Sequence, residues 1–162
     1  MTWNSLLGSK GKVILFRVWN IWPPFIGAGI RIGEVSSDFR SVKIYLRLRW
    51  WNRNYVGTQF GGSMFMMTDP FYMVMFLQNL GSEYIVWDKA ASIRYLKPGR
   101  TDVVAHFQLT EEILNGVRKT LETQEKMDWT TTVQIKDLKG EVIAEVDKIV
   151  YIRRKTKAQI TK

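Results

Sequence analysis

The chain has 162 residues, 46% hydrophobic and 13% aromatic, and carries a net charge of +9. That size and composition fit one domain with a sizeable core and exclude a disordered chain. With no cysteine and a single histidine, His106, disulfides, thiolate metal sites and cysteine nucleophiles are excluded. A Ser-His-Asp triad or a multi-histidine metal centre is disfavoured.

Ser5 to Trp22 reads as a short amphipathic helix that stops before Pro23-Pro24. Phe25 to Val35 reads as a glycine-rich strand, and Ser36-Ser37-Asp38 as a turn. Val42, Ile44, Leu46, Leu48 and Trp50 alternate with Lys43, Tyr45, Arg47 and Arg49, which predicts a strand with one buried face. Met64 to Leu80 is apolar on every side, so it predicts a helix buried nearly all round and ending at Gly81. Three or four strands follow. Glu83 to Leu96 stops at Lys97-Pro98-Gly99, and Asp102 to Thr110 comes next. Glu111 to Thr123 reads as a helix with Thr110 as N-cap and two glutamates in its first turn. Met127 to Lys136 and Glu141 to Arg153 form a hairpin around Leu138-Lys139-Gly140. One long buried helix against a mostly antiparallel sheet is an α+β architecture. His106, in V-V-A-H-F-Q-L, reads as a satisfied strand histidine.

The chemistry concentrates between Asn54 and Asp69, N-Y-V-G-T-Q-F-G-G-S-M-F-M-M-T-D. Gly61 and Gly62 open the apolar helix, where backbone N–H groups lack intrahelical partners and meet the positive end of the dipole. Asp69 is the one carboxylate within that helix. An unpaired carboxylate buried there is costly, which marks it as a candidate acid, base or nucleophile. A second reading stays open: Asp69-Pro70 also fits an N-cap followed by a first-turn proline. Thr68 reads either as a helper or as a hydroxyl bonded to the backbone one turn back. Met64, Met66, Met67, Met73 and Met75 read mainly as core, with an adaptable acyl tunnel as the alternative.

This motif and outline resemble the hotdog-fold acyl-CoA thioesterases, closest to the phenylacetate-pathway (PaaI-like) pattern N-x-x-G-x-x-H-G-G-x6-D. Asn54, Gly57, Gly61, Gly62 and Asp69 fall on that pattern. I-R-Y-L-K-P-G, Ile93 to Gly99, is similar to the family strand ending in [RK]-P-G. The N-terminal helix, Pro-Pro and N-R-N-Y-V-G-T segment resemble an uncharacterised, thioesterase-like branch. The family spacing favours a helix starting near Gly61 and kinked by Pro70. The family histidine before the glycine pair is Phe60 here. The resemblance implies a long helix wrapped by a curved antiparallel sheet, and a single hotdog domain over residues 1–162. Residues 1–24 form a helical extension and 154–162 a basic tail. It further implies a homodimer or tetramer with the active sites at the dimer interface, where Asp69 of one subunit faces the Gly-Gly helix start of the other.

The implied activity is hydrolysis of an acyl-CoA of medium or long chain. Asp69 would act as base or nucleophile, Asn54 would orient water and the N–H groups of Gly61 and Gly62 would hold the oxyanion. Phe60 and Thr68 would line the substrate site, with Lys97 and Arg100 taking the coenzyme phosphates. No cofactor or metal is expected, coenzyme A entering only as part of the substrate.

Charge supplies further readings. Lys10, Lys12, Arg17 and Arg31 stand in residues 1–33 without an acid, and five basic residues stand in 153–162 without one. Those nine account for the whole excess, and the ends suit an anionic partner or simply solvation. Arg47, Arg49, Trp50, Trp51, Arg53 and Tyr55 interleave charge with aromatics as nucleic-acid surfaces do; a solvated strand end is the preferred reading. Gly27-Ala28-Gly29 and Gly33 open no βαβ unit, so a dinucleotide loop is rejected. The alternatives to a hydrolase are a non-catalytic acyl- or lipid-binding hotdog protein, a nucleic-acid-binding module, or a peripheral membrane protein using residues 13–22. No run approaches a membrane span and no signal peptide of the usual form is visible, so the expectation is a soluble, cytoplasmic protein.

Overall fold

Alternation between an inward and an outward face builds the sheet. In Val142–Arg154, the residues Ala144, Val146, Val150 and Ile152 are buried while Glu145, Asp147, Ile149 and Tyr151 between them are half-buried. A computed structural model describes residues 9–156. Its elements are α1 (Ser9–Arg17), a 3-10 turn (Val18–Ile21), α2 (Pro23–Ala28), β1 (Ile30–Val35), β2 (Ser41–Leu46), α3 (Gly61–Met66), α4 (Phe71–Leu80), β3 (Tyr84–Tyr95), β4 (Val103–Gln108), α5 (Glu111–Thr123), β5 (Lys126–Asp137) and β6 (Val142–Arg154). The six strands form one antiparallel sheet in the order β1-β2-β4-β5-β6-β3.

The curved sheet packs on α4. Tyr72 and Phe76 each meet the Trp129 ring at 4.9 Å, and Phe71 and Tyr72 each meet Phe107 at 5.2 Å. No residue of α4 is exposed, as its apolar surface requires. The N-terminal helices close one end of this core. Phe16 and Phe25 lie 6.0 and 6.2 Å from Phe71, and Phe16 lies 5.6 Å from Phe39. Asn20 fixes them to β1 by donating to the Ile32 carbonyl and accepting from the Ile32 N–H. The Thr110 side chain caps α5 by accepting from Ile113 N. No helix among the described residues is long and apolar enough to cross a membrane.

Three expectations are corrected. Residues 23–28 form a helix, not the start of a strand. Pro23 and Pro24 preset its first turn, and Gly29 ends it at φ 82°. A Cβ at Gly29 would collide with the Asn52 side chain. The second strand ends at Leu46 instead of running to Trp50, because side chains satisfy the next amides: Asp102 accepts from Leu48 N and Asn52 from Arg49 N. The long helix is two helices. Pro70 lacks an N–H and its ring opposes the carbonyl four residues back, so α3 closes in a tight turn. There Thr68 N donates to Phe65 O and Asp69 N to Met66 O, and α4 starts afresh at Phe71. Residues 1–8, including part of the predicted first helix, and the tail from 157 lie outside the described residues.

Candidate active site

The loop from Arg47 to Phe60 is folded by its own amides. Asn54 Oδ1 accepts from Val56 N and Thr58 N, while Nδ2 donates to Thr58 Oγ1 at 2.9 Å and to the Gln59 carbonyl at 3.3 Å. Asn54 thus spends its amide on the turn that Gly57 completes at φ 81°. Gln59 clamps the loop to the sheet and to the Lys97-Pro98-Gly99 turn. Its N–H donates to Gly99 O and its Nε2 to Leu46 O and Thr101 O. The Gln59 Oε1 atom is buried and accepts no hydrogen bond among the described residues.

Phe60 stands at the N-cap of α3 with its ring half exposed and offers no capping oxygen. Gly61 lies under Tyr95, and a Cβ there would come within 2.8 Å of the Tyr95 hydroxyl. At Gly62 the Phe60 ring fills the corresponding space. Asn54, Thr58, Gln59, Gly61, Tyr95 and Lys97 line a cavity of about 440 Å³. Lys97 is ion-paired with Glu141. Arg100 is exposed and has no ion-pair partner among the described residues.

Asp69 belongs to a different cavity of about 620 Å³, walled by Trp19, Trp22, Phe25, Met66 and Pro70 and almost wholly apolar. One protomer therefore brings Asn54, Gly61 and Lys97 together and holds Asp69 apart. The expectation that Asp69 is buried is also corrected. Its side chain is 59% exposed, because the helix breaks there and the carboxylate sits on the junction. It is not unpaired either, since its Oδ1 lies 3.5 Å from Lys148 Nζ. Thr68 is buried and donates to the Phe65 carbonyl at 2.8 Å, the backbone-bonded arrangement.

Two charged residues escaped the sequence reading. Lys148 is 2% exposed, and its ammonium lies 3.1 Å from Asp88 Oδ1. It points inward from β6 between Val146 and Val150. Asp88 points inward from β3 two residues after buried Val86, just before a bulge at Lys89. Burial raises the Asp88 pKa; Lys148 opposes the shift and Asp69 adds to it. Neither Asp88 oxygen has a well-angled hydrogen bond among the described residues, so the ion pair with Lys148 is what meets its charge. The signal was phase: both residues occupy the apolar register of alternating strands.

His106 lies on the outer face of β4, 2.8 Å from Ser41 Oγ. Arg49 donates to Leu48 O and approaches Asp102 at 3.8 Å, and Trp50 and Trp51 pack edge to face on the exposed loop.

The family model named Domain of unknown function (DUF4442) matches residues 11–152. The chain belongs to the DUF4442 family. No curated protein is a significant match. Among solved structures, this DUF4442 chain is similar to a Pseudomonas aeruginosa protein of unknown function named a probable thioesterase. The TM-score is 0.73 at 18% identity, covering 88% of this chain and 95% of that one. A thioesterase from Haemophilus influenzae superposes with TM-score 0.63 at 11% identity, covering 95% and 96%. The PaaI protein of the E. coli phenylacetic acid degradation operon gives 0.61 at 14%, covering 93% and 96%. The DUF4442 chain has the hotdog fold shared with these thioesterase-like proteins.

Proposed function

We propose that the protein hydrolyses acyl-CoA thioesters. The observation that carries the reading is a carboxylate, Asp69, opening onto an apolar cavity of about 620 Å³ beside a buried lysine. That volume is in the range of small-molecule sites, and its walls suit a medium or long acyl chain. Asp69 takes a proton from water as the water oxygen attacks the thioester carbonyl. The oxyanion forms against backbone N–H groups at Gly61 and Gly62 of a second copy. Collapse breaks the C–S bond, and the departing coenzyme A thiolate receives the proton from Asp69. Arg100 and, in exchange with Glu141, Lys97 meet the coenzyme phosphates. Asn54, held in its turn, shapes the rim of the cavity beside Gly61.

The second copy is supplied along β3. This strand ends the sheet with one edge unpaired over Tyr84–Tyr95 among the described residues, and it exposes Trp87 and Tyr95 at 63% and 53%. Such an edge calls for a cover. Sedimentation at micromolar concentration reads it as a dimer or tetramer; an active monomer refutes the shared site.

The test of the activity is thiol release over a panel of acyl-CoAs from short to long, with turnover rising for chains that fill the cavity. Absence of release over the whole panel, with acyl-CoA still bound, establishes instead the acyl-binding reading that Phe60, in place of the family histidine, favours.

A further inference from the structure

A lysine in the middle of an apolar strand face needs a reason. Transfer of an ammonium out of water is offset only by well-placed opposite charge. Two carboxylates from two other elements meet Lys148: Asp88 from β3 at 3.1 Å and Asp69 from the α3–α4 junction at 3.5 Å. Across β5 its register partner is Thr131, which carries no charge. The nearest other charged residues of these strands pair on the opposite face, Lys89 with Asp128 and Arg94 with Asp147 and Glu145, and Arg154 pairs with Glu83 at the strand end. Lys148 is thus a buried cation whose near partners, among the described residues, are those two aspartates.

The two carboxylates differ in environment. The Asp88 side chain is 16% exposed and the Asp69 side chain 59%. One is locked inside, while the other reaches from the same ammonium to the wall of the apolar cavity. An exposed aspartate in a proline-broken turn has many rotamers. An ion pair to a rigid, strand-borne ammonium selects one of them.

We propose that Lys148, anchored by Asp88, is the positioning residue that holds the Asp69 carboxylate aimed into the apolar cavity. The proposal rests on Asp69 being the catalytic carboxylate of the preceding section, and assigns to Lys148 no contact with substrate.

The experiment is kcat and KM for the wild type, Lys148→Met, Asp88→Asn and Asp69→Asn, with the carbon NMR signal of the Asp69 carboxyl recorded at one neutral pH. Lys148→Met lowers kcat about tenfold and leaves KM unchanged, because a carboxylate that has lost its aim costs rate and not binding, and the Asp69 signal shifts or broadens as the carboxylate samples several rotamers. Asp88→Asn loosens the anchor and moves kcat and the Asp69 signal in the same direction by less. A purely structural role for Lys148 lowers thermal stability and leaves the Asp69 signal and the kcat of the folded protein in place. If Asp69→Asn abolishes turnover while kcat of Lys148→Met and Asp88→Asn equals wild type, positioning is overturned and the hydrolase reading stands. If Asp69→Asn turns over normally, the reading of Asp69 fails instead. The NMR signal decides the link where turnover is absent, and Asp88→Asn decides it where Lys148→Met does not fold: an unchanged Asp69 signal overturns it in either case.

Discussion

Replacing Lys148 with methionine tests the buried charge cluster through stability. Lys148 is 2% exposed and its closer partner, Asp88, is 16% exposed, so solvent screens this pair little. Removing one partner of a buried pair costs about 3–5 kcal/mol, chiefly because the other charge is stranded. Asp69 can turn its exposed carboxylate to water, so the stranded charge is Asp88, and the lower end, about 3 kcal/mol, is expected. The cost depends on pH. Burial already raises the folded Asp88 pKa above its unfolded value. Stability from this group therefore falls as pH rises from the unfolded to the folded value, then stays level. Loss of the ammonium pushes the folded value higher and extends that window upward. At acid pH Asp88 takes a proton in both proteins, and the gap between them narrows. Urea unfolding of wild type and Lys148→Met at about pH 8 and about pH 5 measures it, at fixed protein concentration. The double variant Lys148→Met/Asp88→Asn should recover most of the loss. Equal destabilisation at both pH values, with no recovery in the double variant, would falsify the account: the methionine would then be failing on packing alone.

Three further outcomes are expected. Asp69→Asn lowers kcat by roughly two orders of magnitude or more, while its unfolding free energy stays within about 1 kcal/mol of wild type because Asp69 is itself 59% exposed and Asp88 still meets the Lys148 ammonium; a steady-state rate equal to wild type refutes its role. Arg100→Ala raises KM for acyl-CoA with kcat nearly unchanged, and a pantetheine thioester without phosphates is indifferent to it; equal sensitivity of the two substrates shows that Arg100 acts on structure. Gly61→Ala drives a methyl toward the Tyr95 hydroxyl, 2.8 Å away, so it costs about 1–3 kcal/mol and Gly61→Ala/Tyr95→Phe recovers part of that in thermal denaturation.

Local chemistry was the legible part. Thr110 and the two glutamates after it announced α5, and the structure starts the helix at Glu111. Alternation located β2, β5 and β6 to within a few residues at most ends. Where one signal had two uses, the sequence misled. Pro23-Pro24 read as an interruption before a glycine-rich strand, yet the prolines start α2 and Gly29 stops it. An apolar run across Pro70 read as one helix because periodicity does not register a missing amide. The Asn54–Asp69 motif located the loop and helix start but not the partition of its residues between two cavities. That depends on the path of the chain through the α3–α4 junction. The Asp69, Asp88 and Lys148 cluster was hidden for another reason: strand register brings Asp88, and the α3–α4 turn brings Asp69, within 3.5 Å of the Lys148 ammonium.

The aromatic joint at Phe71 has a consequence for how the molecule comes apart. Phe71 is fully buried, and the rings of Phe16, Phe25 and Phe107 all pack on it. Two of the three belong to the N-terminal helices. Cutting the chain after residue 25 or later would remove both rings and expose the first turn of α4, the segment next to Asp69. The N-terminal helices and the first turn of α4 are therefore expected to open as one unit. Amide hydrogen exchange should show α4 and the 18–28 segment opening together, ahead of the β5–β6 hairpin.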